Sequence, residues 1–355
     1  MYTSLKYKSD DGETYQYHYS FFTKTSIWFS KRLNIQSNCL SAFLFLGLPF
    51  FLLFSWMIYE KRLLIHTQPV IFISMVIAGT WLFLGPVLIV NWELSFRRFH
   101  EKLQDKLRVN SEIKPKYINK IYFNDAIIRA LFSAVFSIVV CLVVFFGIDV
   151  YREIGLNYGY SDPVFWLSAF LALQIGFTAG FGFWGVFKTI HSVLIIHSYH
   201  DLDWEVFNSD KKGGLYFIYR FILGTAYVFG VGTVVVPFWL QVVAHANNSI
   251  KIVSYALVIL YSISIISSFI IPSKIVTRII KEKLIKELDG ITKSLNAKIK
   301  KEENPDEFLM LMDTFRYLND YDIVPIKFLK AVEFTAIAII PFILCVIEIL
   351  KFKND

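Results

Sequence analysis

Charge is scarce in this chain. Only 18% of its 355 residues are Asp, Glu, Lys or Arg, while 55% are hydrophobic; a soluble domain carries about 25% charged residues. That balance excludes an ordinary water-soluble globule and points to a membrane. Cysteine is scarce too. Cys39, Cys141 and Cys345 are odd in number and form no CxxC pair, so neither a disulfide framework nor a thiolate metal site is expected. The chain lacks the phosphate-cradling GxxxxGK[ST] loop, the GxSxG nucleophile turn, the HExxH zinc pair and a TVGYG-type ion filter, which leaves no motif-level support for an NTPase, a hydrolase, a metalloprotease or a selective potassium pore. The opening MYTSLKYKSDDGETYQYHYSFF carries acids where a signal peptide needs an apolar run, so the first span is expected to act as its own insertion signal.

What the chain does have is long apolar runs. Seven stretches, roughly 39–59, 69–91, 126–149, 163–185, 215–244, 250–272 and 328–350, are long enough to cross a hydrocarbon core of about 30 Å as helices. They are continuous and do not alternate, which excludes a transmembrane β-barrel. The fold class expected is therefore an all-α polytopic membrane protein of about seven transmembrane helices. With the N-terminus inside, 27 Lys and Arg residues fall on the inner side and 6 on the outer, while Arg129, Lys188 and Arg220 lie within or just past spans. This obeys the positive-inside rule and gives the protein a basic cytoplasmic face. The net charge of +7 then belongs to that face, where it attracts anionic headgroups or, alternatively, nucleotides or nucleic acid.

The external segments are short, and no internal repeat divides the chain. The expected organisation is a cytoplasmic segment over 1–38 and spans 1–6 over 39–272, with cytoplasmic loops 92–125 and 186–214. Cytoplasmic amphipathic helices follow over 273–327, and a final span over 328–350. Residues 163–198 contain a single charge, Lys188, so the fourth span is expected to run past the bilayer as one helix. Beyond Pro272, Val276, Ile280, Leu284, Leu288, Ile291 and Leu295 recur at helical spacing and form an apolar stripe. Asn304, Pro305, Asp306 and Glu307 read as a helix start, followed by an apolar face of Phe308, Leu311, Met312, Phe315 and Leu318. In the N-terminal segment, Tyr15, Tyr17, Tyr19 and Phe21 alternate, as in a short strand or in an aromatic segment at the headgroups.

Several clusters carry candidate chemistry. In NSDKKGGL, Asp210 can cap the fifth span and Gly213–Gly214 permit a tight, φ-positive lead-in to it. Lys211 and Lys212, beside the exposed amides of a helix N-terminus, make an anion site for a lipid phosphate or a regulatory ligand. Ser254, Tyr261, Ser264 and Ser268 share one face of the sixth span and either line water or bond a neighbouring helix. Ala172, Gly176 and Gly180, with Ala226 and Gly230, form small-residue rows that let backbones approach within or between subunits. His197, His200 and Asp201 share a helix face but lack zinc-site spacing, and a solvated terminus is the simpler reading. No metal, cofactor or catalytic residue is assigned.

SDKKGGL before a span, the run IIPSKIVTRIIKEKLIKELDGI and then DYDIVPIKFLKAVEFTAIAIIPFIL together resemble uncharacterised bacterial multi-pass membrane proteins with an acidic-Gly-Gly-Leu loop. Residues 200–350 carry the resemblance, which implies an architecture and no established activity. The layout is also similar to that of membrane effectors of two-gene anti-phage systems of the Hailong type. The expectation is a homo-oligomeric channel or pore-forming effector, not an enzyme, gated from the cytoplasmic side by an anionic ligand such as a nucleotide or oligonucleotide, or by a partner protein. The alternatives are an enzyme acting on lipid-linked substrates and an anchor or receptor for a cytoplasmic partner.

Overall fold

The computed structural model describes residues 4–8, 14–60, 69–106, 125–142, 163–198, 214–231, 248–301 and 305–319, with the single residues Leu240 and Ile343. Strands β1 (Ser4–Lys8) and β2 (Thr14–His18) form an antiparallel hairpin that pairs Ser4 with His18 and Lys8 with Thr14. Helix α1 covers Phe21–Arg32, α2 Asn38–Ala42 and α3 Leu48–Glu60, with a π-helical segment, Phe43–Gly47, between the last two. Then follow α4 (Pro69–Lys106), α5 (Asp125–Leu142), α6 (Pro163–Ser198), α7 (Tyr216–Val231), α8 (Asn248–Lys301) and α9 (Pro305–Asn319). Among the described residues the fold is helical, as expected, apart from this N-terminal hairpin. There, the alternation of Tyr15 and Tyr17 belongs to β2, and Phe21 opens a helix.

Three helices among the described residues are long and apolar enough to cross a membrane: Asn38–Glu60, Phe165–His197 and Lys251–Ala297; Ala126–Leu142 is a shorter apolar helix. The expected last span, 328–350, lies outside the described residues. Helix α6 starts and ends where its nearly charge-free run does. Helix α8 does not end at Pro272. Its 54 residues continue to Lys301, about 80 Å at 1.5 Å per residue, because an apolar helix tolerates a proline where neighbouring groups absorb the lost hydrogen bond.

Local chemistry explains the ends of α1. The Ser20 hydroxyl caps it by accepting from the Thr23 N–H at 3.3 Å, and Lys31 and Arg32 in its last turn complement the helix dipole. The chain leaves the helix through Asn34 at φ 55°, and the Ile35 N–H reaches back to the Ser30 carbonyl at 2.9 Å. That is a Schellman stop, with asparagine in the left-handed position more often held by glycine. Ser37 then caps α2 by accepting from the Leu40 N–H at 3.3 Å.

The main core gathers Trp92, Phe96, Phe99, Phe181, Trp184, Ile218, Phe221, Ile222, Ile265 and Ile280 from α4, α6, α7 and α8. Helices α5 and α6 meet through the predicted small-residue row. A Cβ on Gly176 would lie 2.5 Å from the Ser137 Cα, and one on Gly180 2.7 Å from the Ser133 Cα. The Ser137 hydroxyl adds a bond to the Leu173 carbonyl at 3.1 Å. Toward the C-terminal end of α8, Leu284 packs with Leu318 of α9 and with Leu288, Ile291 and Tyr317, as the apolar stripe of α8 anticipates.

Substituting Gly176 or Gly180 by alanine forces backbone against backbone and is expected to cost about 1–3 kcal/mol. Gly290→Ala, on α8 with nothing within 4 Å of the added carbon, is neutral or slightly stabilising. Thermal unfolding of the purified chain in detergent separates the two classes.

A buried polar site joining the N-terminal helix to the bundle

The densest polar arrangement among the described residues is centred on Glu93. Helix α4 carries this residue just beyond the apolar stretch 69–91, and its side chain is fully buried. The Ser20 N–H donates to both carboxylate oxygens, at 3.0 and 3.1 Å. The Ser20 hydroxyl donates to Oε2 at 2.6 Å, and Arg129 Nη1 of α5 donates to Oε1 at 3.1 Å. One carboxylate thus ties the start of α1 to α4 and α5.

An aromatic wall surrounds it. The Arg129 guanidinium lies 5.5 Å from the Trp184 ring centroid and 5.8 Å from that of Phe181, close enough for cation–π attraction. Trp92 and Trp184 meet edge to face at 5.2 Å, and the Trp92 indole N–H donates to the Thr225 hydroxyl at 3.1 Å. Burial pushes the Glu93 carboxyl upward; Arg129 and the hydrogen bonds from Ser20 and Thr23 pull it down without overcoming the burial. The chain's own donors occupy both oxygens, so the group acts as a clamp and not as a base aimed at a substrate.

One turn further along, Phe96 lies between two more buried polar groups. The Lys188 Nζ is 6.0 Å from the Phe96 ring centroid, and the His100 ring stacks on the same ring at 6.4 Å. Both side chains are almost fully buried. Burial, with Lys188 as the smaller cause, lowers the His100 pKa from its ordinary 6.5 to about 3, so this imidazole is neutral.

The residues singled out in sequence are distributed differently. Gly214 has φ 78° and precedes the buried Leu215, which fits the expected turn into α7; Asp210, Lys211, Lys212 and Gly213 lie outside the described residues. In the serine stripe, the Tyr261 hydroxyl donates to the Phe229 carbonyl of α7 at 2.6 Å. Ser264 and Ser268 bond their own helix at 2.7 Å, and Ser254 is buried. Ala172, Gly176, Gly180, Ala226 and Gly230 are all buried within the chain. His197 ends α6 half-buried, while His200 and Asp201 lie outside the described residues. Among the described residues no three His, Cys, Asp or Glu side chains gather as metal ligands.

Sequence reading missed Glu93 because composition places it in the loop after a span. The available signal was Arg129, a guanidinium at the start of an apolar stretch, which requires a buried acid from another element. Comparison with protein-family models, with curated proteins and with solved structures gives no significant match, so any functional reading rests on this geometry and on the sequence.

Replacing Arg129 by methionine strands a buried carboxylate and is expected to cost about 3–5 kcal/mol. Adding Glu93→Gln to it recovers part of that loss, because the two effects are coupled; additive losses in a thermal or denaturant series contradict the clamp. For His100, the pKa lowered by folding means that its contribution is complete above pH 6.5 and falls away as the pH drops toward 3. Stability measured from pH 7 to pH 5 should therefore fall less steeply in His100→Gln than in the parent.

Proposed function

We propose that the protein is a homo-oligomeric channel or pore of the bacterial inner membrane, opened from the cytoplasmic side. In this reading the N-terminus and the basic ends of α4, α6 and α8 face the cytoplasm, as the distribution of Lys and Arg requires. The observation that carries the proposal is the continuity of α8. One unbroken helix from Asn248 to Lys301 includes both an apolar membrane-length segment and a basic amphipathic segment paired with α9. A force or ligand acting on the α8–α9 pair is delivered to the span without a flexible joint.

The described arrangement is then a closed state. Tyr261 is bonded to α7 and Ser254 and Ser268 are buried; they line a conducting path only once α7 shifts relative to α8. Two packings of this bundle, biased by a cytoplasmic event, are what a gated pore needs. Lys211 and Lys212 are the residues proposed to meet an anionic ligand, a nucleotide or oligonucleotide. The resemblance in layout to anti-phage effectors suggests the biological setting: a pore held closed until infection produces the trigger.

A second reading has one observation in its favour. Ile285 of α8 and Leu309 and Met310 of α9 are exposed apolar side chains on the α8–α9 pair, which suits an anchor that recruits a cytoplasmic protein.

Reconstitution into liposomes tests the proposal. Flux of ions or a small dye is expected on addition of nucleotides or short oligonucleotides, and the response should be lost in a Lys211→Ala/Lys212→Ala variant. A confirmed oligomer that passes nothing under any condition overturns the channel reading. Loss of partner binding on removal of 273–325, with no flux in the parent, favours the anchor.

A further inference from the structure

Helix α1 is amphipathic the wrong way round for a helix between protein and water. Its buried face is Phe22, Thr23, Ser26 and Ser30, three of them hydroxyl residues. That face is closed by short polar bonds: Ser26 Oγ donates to the Asn38 carbonyl, Ser30 Oγ to the Ile35 carbonyl at 2.6 Å, and Ser41 Oγ to the Ser26 carbonyl at 2.9 Å. The opposite face presents Phe21, Lys24, Trp28, Lys31 and Arg32, at the spacing of one helical stripe. Phe21 is 69% exposed and Trp28 44%.

Two large aromatic rings interleaved with three cations is the composition of a helix lying in a membrane interface. Rings of this kind sit at headgroup level, and lysine and arginine stems reach to phosphate. The location agrees. Five residues separate α1 from α2, which opens the membrane-length helix Asn38–Glu60. Leu33 and Leu40, in the stretch between the two helices, and Leu52 and Trp56 of the membrane-length helix are all exposed apolar side chains, so the aromatic face of α1 is followed in the chain by further apolar surface.

We propose that α1 is an interfacial helix whose Phe21–Lys24–Trp28–Lys31–Arg32 stripe binds anionic phospholipid, while its hydroxyl face and the Ser20–Glu93 bond hold it on the bundle. The proposal rests on the membrane reading above but not on conduction. It makes α1 a two-sided element, fixed to lipid outside and to a buried carboxylate inside.

The test uses the full-length chain with its three cysteines replaced by serine and an environment-sensitive fluorophore on a new cysteine at Phe21 or Trp28. Leu52→Cys serves as the lipid control and Asp313→Cys as the aqueous one. In vesicles of phosphatidylcholine with phosphatidylglycerol, the labels at 21 and 28 should resist aqueous iodide and be quenched by shallow spin-labelled lipid. Spin-labelled phosphatidylglycerol should quench them about fivefold more effectively than the choline lipid, the ratio expected for one surface cation–lipid contact. Lys24→Gln/Lys31→Gln/Arg32→Gln should bring the two lipids to parity. Iodide quenching at both 21 and 28 overturns the proposal. Protection of both from iodide and lipid alike also overturns it, since the face is then covered by a second copy. An iodide-accessible label at Leu52 overturns the membrane reading and this inference with it.

Discussion

A carboxylate removed from water must be compensated by other groups, and in this protein Glu93 of α4 is compensated from two other elements, by Ser20 at the start of α1 and Arg129 of α5. Without Arg129 it would be a buried, uncompensated charge. Without Ser20 it would lack the donors that complete its shell. The hydrogen bonds give the arrangement direction: the backbone N–H and hydroxyl of one residue both point to the same carboxylate, so α1 docks in one register. The aromatic wall of Trp92, Phe181 and Trp184 lowers the local dielectric around the pair and so strengthens it. A purely apolar contact could match its stability, but it would hold the N-terminal segment less specifically.

The same end of the bundle concentrates the other polar groups. Lys188 and His100 flank Phe96, and Thr189 and Thr225 approach across α6 and α7 at 3.4 Å. Toward Gly176 and Gly180, contacts become closer and small-residue, with hydrogen bonds from Ser137 to the Leu173 carbonyl and from Trp81 to Thr178. The bundle is thus specified by a buried ionic cluster at one end and by close backbone packing with single hydrogen bonds along its length. In the proposed function, the polar end is where a cytoplasmic signal arrives. Because α4, α5, α6 and α1 converge there, displacing one of them changes the environment of charges that cannot be left bare.

Much of the helical layout was legible because it depends on composition over long windows. Residues 163–198 hold only one charge, and α6 spans that same run. The stripe from Val276 to Leu295 and the Pro305 start depend on spacing and dipole, and both appear. Three features were not legible. The boundary expected at Pro272 between span and amphipathic helix is not a break, and one helix passes through it because tertiary packing overrides local propensity. The serines of α1 carry no apolar pattern, yet they form its buried face, since small hydroxyl residues let α1 and α2 approach and bond each other's carbonyls. Glu93 was assigned to a loop because span boundaries follow hydrophobicity, while its burial depends on Arg129, 36 residues away, and on Ser20, 73 away. Pairings over that distance leave no mark in a local pattern.

The central claim is that Glu93 holds the N-terminal helix on the bundle, and hydrogen exchange tests it most directly. Amide protection of residues 20–32 should be high in the parent chain and largely lost in Glu93→Gln, while residues 171–196 of α6 keep theirs. Unchanged protection of 20–32 in that variant would contradict the account.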